Sequence, residues 1–130
     1  MENSIIYAQF IGIIFSIIGA GILLNYNFYR KLAETMDDYP PVIFVVGIAG
    51  TILGLFMVNG HNIWSGEIWQ ILITIINWII LITGIITLAV TPLTLYIVKL
   101  WKNNSKVVLA EGSVVLITGL VLLYFGYLAQ

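Results

Sequence analysis

The chain has 130 residues, of which 61% are hydrophobic and 8% charged, with a single histidine and no cysteine. Soluble domains carry roughly 25% charged residues, and a soluble fold this small could not hide so much apolar surface, so lipid must be the solvent for most of the chain. A net charge of −1 offers no field for nucleic acid, the lack of cysteine excludes disulfides and thiolate chemistry, and one histidine excludes a multi-histidine metal site within one chain; no cofactor or metal is expected.

A hydrocarbon core about 30 Å thick is crossed by roughly 20 apolar residues in helix. The first stretch that qualifies is 5–24, IIYAQFIGIIFSIIGAGILL. It has no basic lead-in and is too long for the apolar part of a signal peptide, so it reads as a retained span. Gln9, Gly12, Ser16 and Gly19 recur along it at spacings of three and four. Membrane helices set such small, weakly polar residues against each other, because close backbones gain dispersion and hydrogen bonds.

Residues 26–38, YNFYRKLAETMDD, place Phe28, Leu32 and Met36 four apart. That spacing predicts a short amphipathic helix lying at the membrane interface. Tyr39-Pro40-Pro41 ends it, and Asp37 and Asp38 then precede the second span, where a helix dipole favours negative charge. With Glu34 they read as a solvated cap, not a metal site. The second span is 42–58, VIFVVGIAGTILGLFMV, with Gly47, Gly50, Thr51 and Gly54 along it.

The loop 59–70, NGHNIWSGEIWQ, gathers His61, Asn62, Trp64, Glu67 and Trp69. Asn59-Gly60 and Ser65-Gly66 are turn signals, and the tryptophans suit the headgroup belt. His61 with Glu67 resembles an acid–base pair. Neither a nucleophile nor a phosphate-binding loop accompanies it. The expectation is therefore no catalytic residue and no enzyme, with His61 either structural or, together with Asn62, offering polar contacts to a partner.

The third span, 71–90, continues a seam of Gln70, Thr74, Asn77, Gly84, Thr87 and Thr91. An amide at the depth of Asn77 finds no partner in lipid, so interhelical bonding to Gln9 or Ser16 is expected. The alternative is a polar constriction in a small pathway. Residues 91–102, TPLTLYIVKLWK, form a second amphipathic connector, either separate or continuing the third span through a kink at Pro92. The fourth span, 107–128, carries Gly112, Gly119 and Gly126 seven apart and Glu111 one turn inside. A carboxylate there is a functional candidate by default, although the nearby helix start and Lys106 favour a snorkelled charge.

All five basic residues, Arg30, Lys31, Lys99, Lys102 and Lys106, fall in or beside the two connectors. Excess Lys and Arg mark the cytoplasmic side, so both termini and the loop 59–70 are expected outside. Shifting the chain by half its length aligns Gly19 with Gly84, Gly47 with Gly112 and Gly54 with Gly119. Both halves also run span, basic connector, span. That pattern is a parallel repeat about an axis along the membrane normal.

HNIW at 61–64, followed by EIWQILITIINWIILITGI at 67–85, resembles a run in small uncharacterised bacterial four-helix integral membrane proteins with an HN-x-W loop motif. Their pattern continues with a second tryptophan, an I-T-x-x-G-W stretch and a Lys-Gly pair. His61, Asn62, Trp64, Trp69, Thr74 and Trp78 match it. Asn77 stands where the pattern has glycine and Thr83 where it has lysine. The resemblance implies a bacterial multi-pass membrane protein and carries no assigned activity.

The expectation is thus an all-α, single-domain, four-helix transmembrane bundle in lipid. Its function is expected to be that of a non-enzymatic accessory or scaffold subunit of an inner-membrane complex, docking through glycine-lined faces to a protein partner or to further copies. The alternative is a minimal oligomeric transporter or channel using Glu111, Asn77 and the threonine seam.

Overall fold

The computed structural model describes residues 2–129, which form helices and no strand. In chain order these are α1 (Glu2–Leu24), α2 (Tyr26–Asp38), α3 (Pro40–Gly60), α4 (Ile68–Ala89), α5 (Thr91–Asn103) and α6 (Ser105–Leu123), closed by a π-helical turn, Tyr124–Leu128. Four are long and apolar enough to cross a membrane: α1, α3, α4 and the run Ser105–Leu128. With no water to satisfy stray amides and carbonyls, only self-bonded helices serve such sequences.

All four spans begin two or three residues earlier than the apolar stretches expected from the sequence, and α4 ends one residue sooner, at Ala89. The causes are local. Pro40 and Pro41 occupy the first helical positions of α3, where no backbone N–H is missed. Glu67 caps α4, and its own N–H is taken by Gln70 Oε1 at 3.0 Å. Asn104 caps α6, its side-chain oxygen accepting the Lys106 N–H at 3.1 Å. The second connector is a separate helix and not a continuation of α4. Val90 breaks the path at φ −131° and ψ 56°, just before Pro92, which lacks the N–H a continued helix would need.

The helices group into two compact units. One holds α1, the start of α2, α6 and the π-helical turn; the other is Arg30–Asn103. In the first unit α1 packs on α6, and glycine sets the approach. A methyl at Gly119 would lie 2.5 Å from Ser16 N, and one at Gly19 would overlap the Leu116 backbone. Gly112 faces Ile22 and Leu23, and Gly12 faces Leu123. In the second unit α3 packs on α4 by the same device. A methyl at Gly54 would lie 2.5 Å from Leu81 Cα, and one at Gly84 would lie 2.5 Å from Thr51 N. Gly47 faces Thr87 and Leu88. Glycine thus acts here by leaving room for a neighbouring backbone.

The outward faces carry Phe10, Ile17, Phe44, Phe56, Ile79 and Ile117, all exposed. Of the four spans α4 has the largest buried share, 39% of its most apolar window against 28% for α1 and 22% for each of the others. That burial is why the polar seam can sit on α4. Asp37 is more than a solvated cap: Lys102 Nζ lies 3.3 Å from its Oδ2, tying the end of α2 to α5 within the second unit. Arg30 pairs with Glu34 one turn along α2.

Gly54→Val should lower the thermal midpoint in detergent, by the roughly 1–3 kcal/mol typical of overpacking. Gly50→Ala, whose added methyl would meet Gly84 Cα at an ordinary 3.4 Å, should leave it near the parent value. Thermal melts of both variants followed by circular dichroism check the pair.

Candidate functional site

The richest polar cluster lies where α3 ends, the loop turns, and α4 begins. A helix leaves its last carbonyls without partners. At the end of α3 one side chain reaches two main-chain oxygens, the free carbonyl of the capping residue and one already bonded within the helix. Asn77 Nδ2 donates to His61 O at 3.0 Å and to Met57 O at 3.2 Å. Met57 O also receives the His61 N–H at 2.9 Å. Asn77 is wholly buried, and its Oδ1 has no hydrogen-bond partner. Asn77 thus spends both donors on main-chain oxygens of its own unit.

Thr74, one turn earlier on α4, holds the loop. Its Oγ1 accepts the Ile63 N–H at 2.9 Å and lies 2.9 Å from Ile63 O, 3.3 Å from Gln70 O and 3.2 Å from His61 Nδ1. One hydroxyl has one proton. With that proton on the nearest carbonyl, Ile63 O, the His61 contact is made by an Nδ1–H donating to Thr74. His61 is only 2% exposed, so it braces the loop from within, which agrees with the structural one of the two readings its sequence position allowed. Burial also holds its pKa below the ordinary 6.5, because desolvation disfavours the imidazolium.

The tryptophans are arranged just as deliberately. Asn62 Oδ1 accepts both the Trp64 indole N–H at 2.8 Å and the Trp78 indole N–H at 3.1 Å. Trp69 donates its indole N–H to Glu67 Oε2 at 2.8 Å. Glu67 thereby serves Trp69 while its charge sits at the start of α4, where the dipole favours it. An Asn62 acceptor shared by two indoles fixes the loop from the headgroup side. Trp78, Ile63 and Met57 belong to this network although composition and spacing did not single them out. For Ile63 and Met57 only backbone atoms take part, which no side-chain pattern announces.

The remaining candidates sit elsewhere. Gln9 Nε2 donates to Gly126 O at 2.8 Å, joining α1 to the π-helical turn in the first unit. Ser16 is largely covered, with Oγ unpartnered against Gly119. Glu111 is exposed on α6, beside a buried Gly112. Among the described residues no group of three or more His, Asp or Glu converges as a metal site. No protein-family model, curated protein or solved structure matches the chain.

Two outcomes follow from this geometry. Asn77→Leu removes the donor to the His61 carbonyl and the second donor to the Met57 carbonyl, and should cost about 1–3 kcal/mol, with faster hydrogen exchange at residues 61–66 as the direct readout. The pH dependence has a definite sign. His61 binds its proton less readily folded than unfolded, so stability is full above about 6.5 and falls as pH drops below that value, until the folded site itself protonates. His61→Gln should flatten that slope in unfolding curves measured between pH 4 and 8.

Proposed function

We propose that the protein is a non-enzymatic accessory or scaffold subunit of a membrane complex, and that the loop between α3 and α4 is its docking surface. One observation carries this reading: the loop is pinned from within while displaying apolar groups outward. Ordering a loop costs roughly 1–2 kcal/mol per residue. Here Thr74, Asn77, Asn62 and Glu67 hold it, yet Trp64 is 58% exposed and Ile68 88% exposed. A rigid tryptophan with its N–H already satisfied is a low-entropy anchor for a partner. Loops set on rigid scaffolds are also where binding residues concentrate.

The transport reading has less support. Asn77 spends both donors on backbone carbonyls, which is the behaviour of helix glue. Glu111 lies on the exposed side of α6, whereas its neighbour Gly112 turns into the α1 contact.

The same reading includes an internal repeat of half the chain length. What supports it is the recurrence of contacts inside the two units. Gly19 against Leu116 answers to Gly84 against Thr51. Gly119 against Ser16 answers to Gly54 against Leu81, and Gly112 against Ile22 and Leu23 answers to Gly47 against Thr87 and Leu88. Every member of each second contact is its counterpart displaced by 65 positions, half of the 130. Buried Ala33 and Val98 on the two connectors stand in the same relation. The proposed setting is a bacterial inner membrane with the loop on the outer side, for which the gathering of all five basic residues at the connectors speaks.

Native mass spectrometry of tagged protein, extracted with its lipid in a mild polymer, tests the function. The expected result is a recurrent heterologous partner that is lost in Trp64→Ser/Ile68→Ser and retained in Glu111→Gln. A discrete homo-oligomer with no partner, binding a ligand in a pH-dependent way abolished by Glu111→Gln, would overturn it in favour of transport.

A further inference from the structure

We propose that α5, with the adjoining part of α2, docks on the headgroup layer of the membrane and selects anionic phospholipid there, Lys31 and Lys99 meeting the lipid phosphates. This inference stands apart from the docking role given to the α3–α4 loop.

Position comes first. α2 begins one residue after α1 ends, and α5 begins one residue after α4 ends. Each leaves a membrane-crossing helix at the membrane edge. Thirteen residues of helix span about 20 Å, too short to cross and suited to lying along the surface.

The faces come next. Val98 is the buried residue of α5, and Leu93, Tyr96, Ile97 and Leu100 are exposed. Their spacing of three and four puts these four on one stripe, turned away from the packed side. Ala33 is buried on α2, while Leu32 and, one turn earlier, Phe28 are exposed. Apolar stripes of this kind are costly in water. Here they continue directly from helices whose own apolar flanks face lipid, so acyl chains cover both.

Charge decides what kind of lipid. Every basic residue of the chain lies in or beside these connectors. Glu34 and Asp37 engage Arg30 and Lys102. Lys31 and Lys99 are exposed, and neither forms an ion pair among the described residues. Each ammonium ends a long apolar stem that can lie over the stripe and lift its charge to phosphate depth, with Tyr96 at the level where aromatic hydroxyls meet headgroups. A zwitterionic headgroup brings its own ammonium to the phosphate; an anionic one does not. Each lysine near an anionic surface should then favour anionic lipid by roughly fivefold. Two exposed lysines give a moderate preference that salt weakens.

The test uses the full chain in nanodiscs of equal phosphatidylglycerol and phosphatidylcholine, released into mild detergent, with retained lipids counted by native mass spectrometry. With each lysine holding its own lipid, phosphatidylglycerol should be retained roughly fivefold over phosphatidylcholine, falling towards parity in Lys31→Gln/Lys99→Gln and in high salt. A second readout is independent of lipid retention. The chain has no cysteine, so Ile97→Cys accepts a unique environment-sensitive dye, which should report an apolar setting shielded from aqueous quencher. Equal retention of the two lipids by the parent protein would overturn the proposal. So would an unchanged preference in the double variant, or a dye at position 97 that is freely quenched, as on a face awaiting a protein partner.

Discussion

Everything in this structure depends on how closely two helix backbones can approach in a solvent that does not push them together. Lipid is as apolar as leucine, so burying leucine between spans gains little. Attraction must come from dispersion at short range, and that requires the side chains between the backbones to vanish. Gly19, Gly112 and Gly119 do this for α1 and α6; Gly47, Gly54 and Gly84 do it for α3 and α4. At several of these positions even one methyl group would fall within 2.5 Å of a neighbouring backbone atom. The bulky Ile, Leu and Phe residues are left for the outward faces, where their size costs nothing.

The polar network at the α3–α4 turn is the second consequence of the same solvent. A helix that ends near the membrane edge exposes carbonyls that water reaches poorly. Asn77 donates to the His61 carbonyl and shares the Met57 carbonyl with the His61 N–H, and its neighbour Thr74 clamps the backbone of Ile63. Once these bonds are made the loop has little freedom left. His61 then closes over Thr74 and is itself removed from solvent. A histidine buried for structural reasons acquires a depressed pKa as a by-product.

The spans, the connectors and the glycine seams were legible because each rests on local periodicity: apolar length, four-residue recurrence, small residues every third or fourth place. Which seams face each other was not. The spacing of Gly12 and Gly19 says that α1 approaches something closely, and only the structure names α6. The partners of Asn77 escaped for a related reason. Side-chain patterns show side-chain partners, whereas Asn77 binds main-chain oxygens whose availability depends on where α3 stops. His61 could be read either as structural or as a docking group, because a polar loop residue shows its burial only once the fold sets Thr74 beneath it. Asn62 was noticed, but its shared hold on Trp64 and Trp78 requires two residues sixteen positions apart to converge.

On the proposed repeat, the differences between the halves say more about function than the likenesses. The position of His61 is answered by Gly126, that of Thr74 by Gln9, and that of Asn77 by Gly12. In the first unit Gln9 reaches the Gly126 carbonyl directly, and a methyl at Gly126 would press on Gln9 itself. One hydrogen bond and two glycines thus close that end. The other end uses a threonine, an asparagine and a histidine, and adds Asn62, Trp64, Glu67 and Trp69 beyond them. Since the simpler arrangement already closes a helix pair, closure alone does not call for the elaborate one. What the additional groups achieve is an ordered surface with Trp64 and Ile68 turned outward, and that is the feature for which the packing of the spans supplies no reason.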